Sequence, residues 1–431
     1  MTRTPDLLAD IRDSAQSLRS PIDLDALVER ARTMRFTAIG EASHGTHEFY
    51  EWRAELTRRL VQECGYTWIA VEGDWPDCWR LDRWVRGLES QQADAHTILR
   101  TFERWPTWMW ANADVADFLD WLREFNRTRT SDHRVGFYGL DVYSLWDSLH
   151  RVMVWLAANA PDALPAADRA WRCFAPFDED PQRYAWSTRL VPESCERDVI
   201  DLLVQVRRAA GSRLASDLDA TQNAAIVVGA EKYYRAMVRS DRTSWNVRDL
   251  HMADTVDRIA THHGSRSKGI VWAHNTHIGD ARATSMANEG MLNLGQLLRE
   301  RHGADNVLLI GFASHRGTVL AADRWGAAEA ELPIPIARPG SHEDLMHRAL
   351  GADSILDFHN DGSPDWLQAQ LGHRAIGVVY DPRHEAGNYV PTEMGRRYDA
   401  LIWIEHSSAL VPLRPEPKPA ESEYETEPTG F

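Results

Sequence analysis

The sequence is poor in cysteine: Cys64, Cys78, Cys173 and Cys195 are the only four in 431 residues, and none forms a CxxC pair. This excludes a cysteine-ligated metal ribbon and a thioredoxin-like redox motif. A chain of this length needs no disulfide staple, so buried free thiols in a reducing compartment are the expectation. No apolar run approaches the length of a membrane-spanning helix. The first residues, MTRTPDLLADIRDSAQSL, are charged and lack the apolar core of an export signal. Basic excess is missing as well: the formal charge of −16 argues against nucleic acid or an anionic membrane as partner. The expectation is a soluble, cytoplasmic protein with no nucleic-acid or membrane partner. No repeat or low-complexity block interrupts residues 1–414, whereas the Pro- and Glu-rich residues 415–431 read as a disordered tail.

Hydrophobic residues make up 43%, enough for a sizeable core, and the length allows one large α/β domain with insertions. The eighteen tryptophans stand out. They serve core packing or line a broad apolar ligand cleft, with Trp105, Trp108 and Trp110 as the candidates for substrate contact.

The chain is organised around residues 35–72. Thr37–Glu41 is a short run of strand character ending on a carboxylate, and Ala42-Ser43-His44-Gly45 turns it into a helix over residues 46–63. Trp68–Glu72 is a second apolar run ending on a carboxylate. A β-α-β unit of this kind builds a parallel pair with a helical crossover, and ligands bind beyond the carboxyl ends of such strands. Two further runs close on polar residues, 134–141 on Asp141 and 269–274 on His274. More strands are expected at 306–312, 375–380 and 400–404. Short helices are expected at 7–18, 23–33 and 82–88, longer ones at 111–126 and 145–158. Residues 159–245 carry no strand signal and read as a helical insertion, a possible lid. The fold class is therefore α/β, a central mostly parallel sheet flanked by helices around a deep cleft, in one hydrolase domain over residues 1–414.

Four strand ends at Glu41, Glu72, Asp141 and His274 suggest one site. His44, in a Gly-bounded turn between two carboxylates, has the surroundings a general base needs. Arg53, on the following helix, is placed to pair with a carboxylate or to stabilise an oxyanion. His274 and His277 are candidate acids or oxyanion donors. Ser43 makes a poor nucleophile, because Glu41 stands where the G-x-S-x-G elbow has its first glycine, and Ser43 adjoins the base in sequence. Direct attack by water is the better reading. Two rivals use the same residues. His44-x-x-His47 and His274-x-x-His277 with Glu41 and Glu72 are adequate ligands for a divalent ion, although the spacing matches no closed metal motif. A non-catalytic protein holding a ligand or haem is the other.

The blocks Gly40-Glu41-Ala42-Ser43-His44-Gly45-Thr46 with Arg53, Val71-Glu72-Gly73-Asp74 and Trp272-Ala273-His274-Asn275-x-His277 resemble those of the erythromycin esterase family. Gly139-Leu140-Asp141, Arg248-Asp249-x-x-Met252-Ala253 and Tyr398–Ile402 extend the likeness across residues 35–413. The resemblance implies an α/β core with a helical portion and hydrolysis of a macrolide ring ester by histidine-activated water, without cofactor or metal. It implies His44 as general base, with Glu41, Arg53, Glu72, His274 and His277 as further site positions. Asp74 and Asp141 join the tryptophans as candidate substrate contacts. The implied partner is a bulky, largely apolar ester or lactone.

Overall fold

A computed structural model describes residues 4–88, 93–177, 180–190, 194–211, 217–239, 241–358 and 364–415. Residues 416–431 of the expected tail lie outside the described residues. The strands run in chain order as β1 (Ala15–Ser17), β2 (Phe36–Ile39), β3 (Trp68–Val71), β4 (Gly136–Gly139), β5 (Gly269–Trp272), β6 (Val307–Ala322), β7 (Glu329–Ile334), β8 (Ser354–Asp357), β9 (Gln370–Arg374), β10 (Tyr389–Glu393) and β11 (Ala400–Ser407). The chain divides into two compact units, one of residues 1–69, 84–136 and 268–431, the other of residues 70–83 and 137–267.

In the first unit the sheet runs β1-β8-β11-β6-β2-β5. Its centre is parallel (β11 with β6, β6 with β2, β2 with β5), and β1 and β8 form an antiparallel edge. Thr67 continues the order, its N–H donating to the Lys268 carbonyl and its carbonyl accepting from Gly136. Every residue of β2 and β5 is buried, as expected for parallel strands covered on both faces. The helix His47–Glu63 follows β2 and buries Phe49, Tyr50, Arg53, Leu56, Thr57 and Leu60, an apolar stripe that includes one guanidinium.

Several local expectations need correction. β6 is sixteen residues long, more than twice the run expected at 306–312. It pairs in turn with β2, β11 and β7, and its polar middle Ser314-His315-Arg316-Gly317 hid the continuation. Residues 375–380 form no strand, only single bridges from Ile376 to Ser43 and from Val379 to Ala322. The helix expected at 7–18 ends at Asp13, because Ala15–Ser17 pairs with β8. A three-residue edge strand is made by its partner and leaves no periodicity to read. The helix expected at 82–88 starts earlier and covers Trp75–Val85, with Pro76 tolerated in its first turn.

The second unit is helical where the sequence shows no strand: Leu145–Asn159, Leu164–Phe174, Pro181–Leu190, Glu196–Ala210, Leu218–Met237 and Asp241–His262. Leu149, Val152 and Leu156 from one helix and Val199, Leu202 and Val206 from another share its core at helical spacing. Cys173 and Cys195 are bonded here, their Cα atoms 5.8 Å apart, which corrects the expectation of four free thiols. The bond joins the end of one helix to the residue before another, a proximity no spacing rule reveals. Cysteine usage therefore no longer speaks for a reducing compartment. Cys64 and Cys78 are buried and free. No helix among the described residues is long and apolar enough to cross a membrane.

Buried histidines make stability depend on pH. Burial holds His251 down to about 3, assisted by Arg258 and opposed by Asp141. Burial likewise holds His342 down to about 4. The unfolded chain takes up these protons near pH 6.5 and the folded chain refuses them, so stability is full above 6.5 and falls below it. Asp114 raises His47 to about 9, so its contribution is present below 6.5 and lost as pH rises through 9. Denaturant midpoints should therefore peak near pH 6.5 and fall towards pH 5, before most carboxylates titrate, by about 1.4 kcal/mol per pH unit for each of the two depressed histidines. A flat profile between pH 6.5 and 5 would contradict the buried neutral state of both.

Candidate active site

The carboxyl end of β2 runs into Gly40 and Glu41, and two backbone contacts hold this turn. Gly40 N–H donates to Ile310 of β6 at 2.8 Å, and the Glu41 carbonyl accepts from Asn275 N–H at 2.8 Å. Asn275 is wholly buried, and its side chain bonds both the N–H and the carbonyl of Phe312. It thus ties the ends of β2 and β5 to the interior of β6. A Cβ on Gly40 would stand 2.1 Å from the Asn275 amide oxygen, and one on Gly45 1.8 Å from the Leu320 carbonyl. The Gly45 carbonyl accepts from Leu320 and Leu410. Both glycines are needed because backbone or side-chain atoms occupy the space a Cβ would take.

This clamped turn presents His44. Its Nδ1 lies 2.8 Å from Glu41 Oε1, and the other Glu41 oxygen lies 3.1 Å from Arg53 Nη2. All three are buried, Glu41 and Arg53 completely. A carboxylate accepts, so Nδ1 carries the proton and Nε2 is the basic nitrogen. Arg53 lies between the faces of Tyr50 and Trp272, its guanidinium carbon 4.3 and 4.7 Å from the ring centres. Of the two roles the sequence leaves open for Arg53, carboxylate partner is the one its geometry serves. The ring of His274 is 4.8 Å from that of His44. His274 caps the short helix Asn275–Ile278, its Nδ1 accepting from Thr276 N–H, which leaves its proton on Nε2. His277 is buried on the same helix. Ser43 Oγ is 2.5 Å from Thr46 Oγ1 and is buried.

Trp110 is buried beside Arg53 and Tyr50. Trp108 is completely buried, a core residue, and Trp105 packs on Trp325 while its indole N–H donates to Ala327. Glu72 and Asp141, in the second unit, meet through a residue the sequence reading left without a role. Arg248 Nη2 donates to Glu72 Oε1 and Asp141 Oδ2, both at 2.8 Å, and its Nε to Asp141 Oδ1 at 3.0 Å. The Arg248-Asp249-x-x-Met252-Ala253 block was the available signal. Asp74 is half-buried where β3 and β4 end, its backbone against Gly139. The metal pairing of His44 with His47 is split: His44 faces Glu41, and His47 Nδ1 lies 2.8 Å from Asp114.

Residues 61–407 match the erythromycin esterase family model. The chain is 21% identical to YbfO of Bacillus subtilis (strain 168), named as a hydrolase, over 91% of this chain and 88% of that protein. It is 21% identical to erythromycin esterase type II of Escherichia coli, over 87% of this chain and 90% of that protein. Among solved structures, a succinoglycan biosynthesis protein superposes with a TM-score of 0.77 at 20% identity, covering 95% of this chain and 99% of that one. An erythromycin esterase EreC mutant in its open conformation superposes with 0.65 at 19% identity, covering 91% and 95%. At these identities the structural likeness speaks for the α/β fold, and the named relatives for a hydrolase. With the family model matching residues 61–407, most of its length, the chain belongs to the erythromycin esterase family.

Proposed function

We propose that the protein hydrolyses carboxylic esters by direct attack of water activated at His44. The Glu41–His44 pair carries this reading, because its hydrogen bond leaves Nε2 as the base. Glu41 orients the ring and stabilises the imidazolium that forms, while Arg53, beside its other oxygen, holds the carboxylate in place. His274, its proton on Nε2, is suited to donate to the oxyanion of the tetrahedral intermediate or to the leaving alkoxide. The Ser43 hydroxyl is committed to Thr46, which disfavours an acyl-enzyme on that residue. The proposed substrate is a bulky, largely apolar ester or lactone, with the macrolactone of the family's namesake as the first compound to try and Trp110, which lies beside Arg53, as the candidate aromatic contact.

The experiment is a mass-spectrometric screen of purified protein against lactones and carboxylic esters, followed by single-turnover intact-mass analysis on any substrate found. Ring opening or ester cleavage with no protein adduct is expected. An acyl group trapped on Ser43 overturns the direct-water mechanism. Turnover that requires one equivalent of a divalent ion, with binding of that ion lost in His44→Ala, overturns the metal-free mechanism.

A further inference from the structure

Away from His44, the first unit holds a second cluster of polar side chains that the proposed reaction does not use. In the parallel register of β6 and β11, Ser314 is opposite Ile404 and Arg316 opposite His406, so His315 and Glu405 are neighbours on one face. The helix His342–Leu350 brings His347 over the same spot. The imidazoles of His315 and His347 lie parallel, 3.7 Å between centres and 2° between planes, and His347 Nδ1 is 2.5 Å from Glu405 Oε1. Two buried atoms there have no hydrogen-bond partner: Nδ1 of His315, a residue 5% exposed, and Oε2 of Glu405. Leaving such atoms unmatched is costly unless a ligand satisfies them.

We propose that His315, His347 and Glu405 form a binding site for a divalent first-row transition ion of the Zn2+ class. They are the group among the described residues whose candidate ligand atoms converge, all within 4.8 Å of one another. Metal–ligand bonds of about 2.0–2.2 Å require ligand atoms about 3.3 Å apart with the ion in the plane of each imidazole, so the site closes when His347 turns out of its parallel stack on His315. Its side chain is 40% exposed and has room to turn. Two imidazole nitrogens and one carboxylate oxygen select a borderline transition ion over Ca2+ or Mg2+, which take oxygen ligands, and leave positions for water. The surrounding charges permit a cation. Asp353 accepts from Glu405 N–H at 2.7 Å. Two arginines act on His315, its neighbour Arg316 and Arg374, and the latter donates to the Ser314 and His315 carbonyls at 2.9 Å and is paired with Glu385. The ion would pin the helix His342–Leu350 to the β6–β11 pair. Three residues beyond Glu405, Ser408 accepts from His47 N–H at 2.9 Å and donates its own N–H to Glu48 at 2.8 Å. The site thus braces the strand end on which the helix after His44 is seated.

The test is calorimetric titration of ZnCl2 into the chelator-stripped full-length protein, with thermal unfolding in parallel. One equivalent of Zn2+ should bind, undisturbed by excess Mg2+ or Ca2+, and raise the unfolding temperature. His347→Ala removes a part-exposed side chain and should fold. It and Glu405→Gln should each weaken binding by about 10-fold or more and abolish the thermal shift. His44→Ala should still bind. Absence of stoichiometric binding overturns the proposal, as does binding that survives both ligand variants or is lost in His44→Ala.

Discussion

His44→Ala is expected to lower ester hydrolysis by about 10²- to 10⁴-fold, the usual loss for a positioned general base. The effect should fall on kcat, because the basic Nε2 acts on water in the rate-determining attack and not on ground-state binding. Little stability should go with it. The side chain sits in a turn whose shape is set by backbone bonds from Gly40, Glu41 and Gly45, none of which the substitution touches. Glu41 keeps its partner Arg53, so no carboxylate is left buried without a cation. The measurement is kcat and KM on a substrate from the ester screen, with near-UV circular dichroism to show that the variant is folded. A folded variant with the wild-type kcat would remove His44 from the mechanism.

Arg248→Met should produce the largest loss of stability, about 3–5 kcal/mol, the usual result of breaking a buried ion pair from one side. The guanidinium is 3% exposed and bonds two carboxylates that are themselves 2% and 3% exposed, Glu72 and Asp141. Methionine fills a similar volume, so the cost comes from taking the cation away from two buried carboxylates more than from a cavity. Arg248→Lys should recover only part of it, because a point charge cannot bond both oxygens of Asp141 and one of Glu72 together. Denaturant midpoints at pH 7 measure the effect. A loss within about 1 kcal/mol, the range of an ordinary substitution, would mean that Glu72 and Asp141 are stabilised without this cation.

Much of the candidate site was legible from sequence because it rests on local rules. Glu41 and His274 each follow a short apolar run, and a run of that kind is readable wherever a strand is buried on both faces. His44, three residues beyond Glu41 in a turn fixed by two glycines, pairs with it through geometry confined to one loop. Arg53 is not among these, because a guanidinium on a helix reads as a polar-face residue and only the structure places it on the buried stripe with Phe49 and Leu56.

What only the tertiary structure decided are the partners distant in sequence. Arg248 joins Glu72 across 176 positions, Asn275 joins Phe312 across 37, and Cys173 bonds Cys195 across 22. Periodicity describes a segment's environment and not which other segment supplies it, so such pairs are invisible until the chain has folded. The same holds for β1 and for the second half of β6, whose residues are strand because of the strands beside them. It holds most plainly for His315, His347 and Glu405. Nothing in their separate surroundings marks them, and only the register of β6 against β11, with a helix laid across, puts three metal-ligand atoms together.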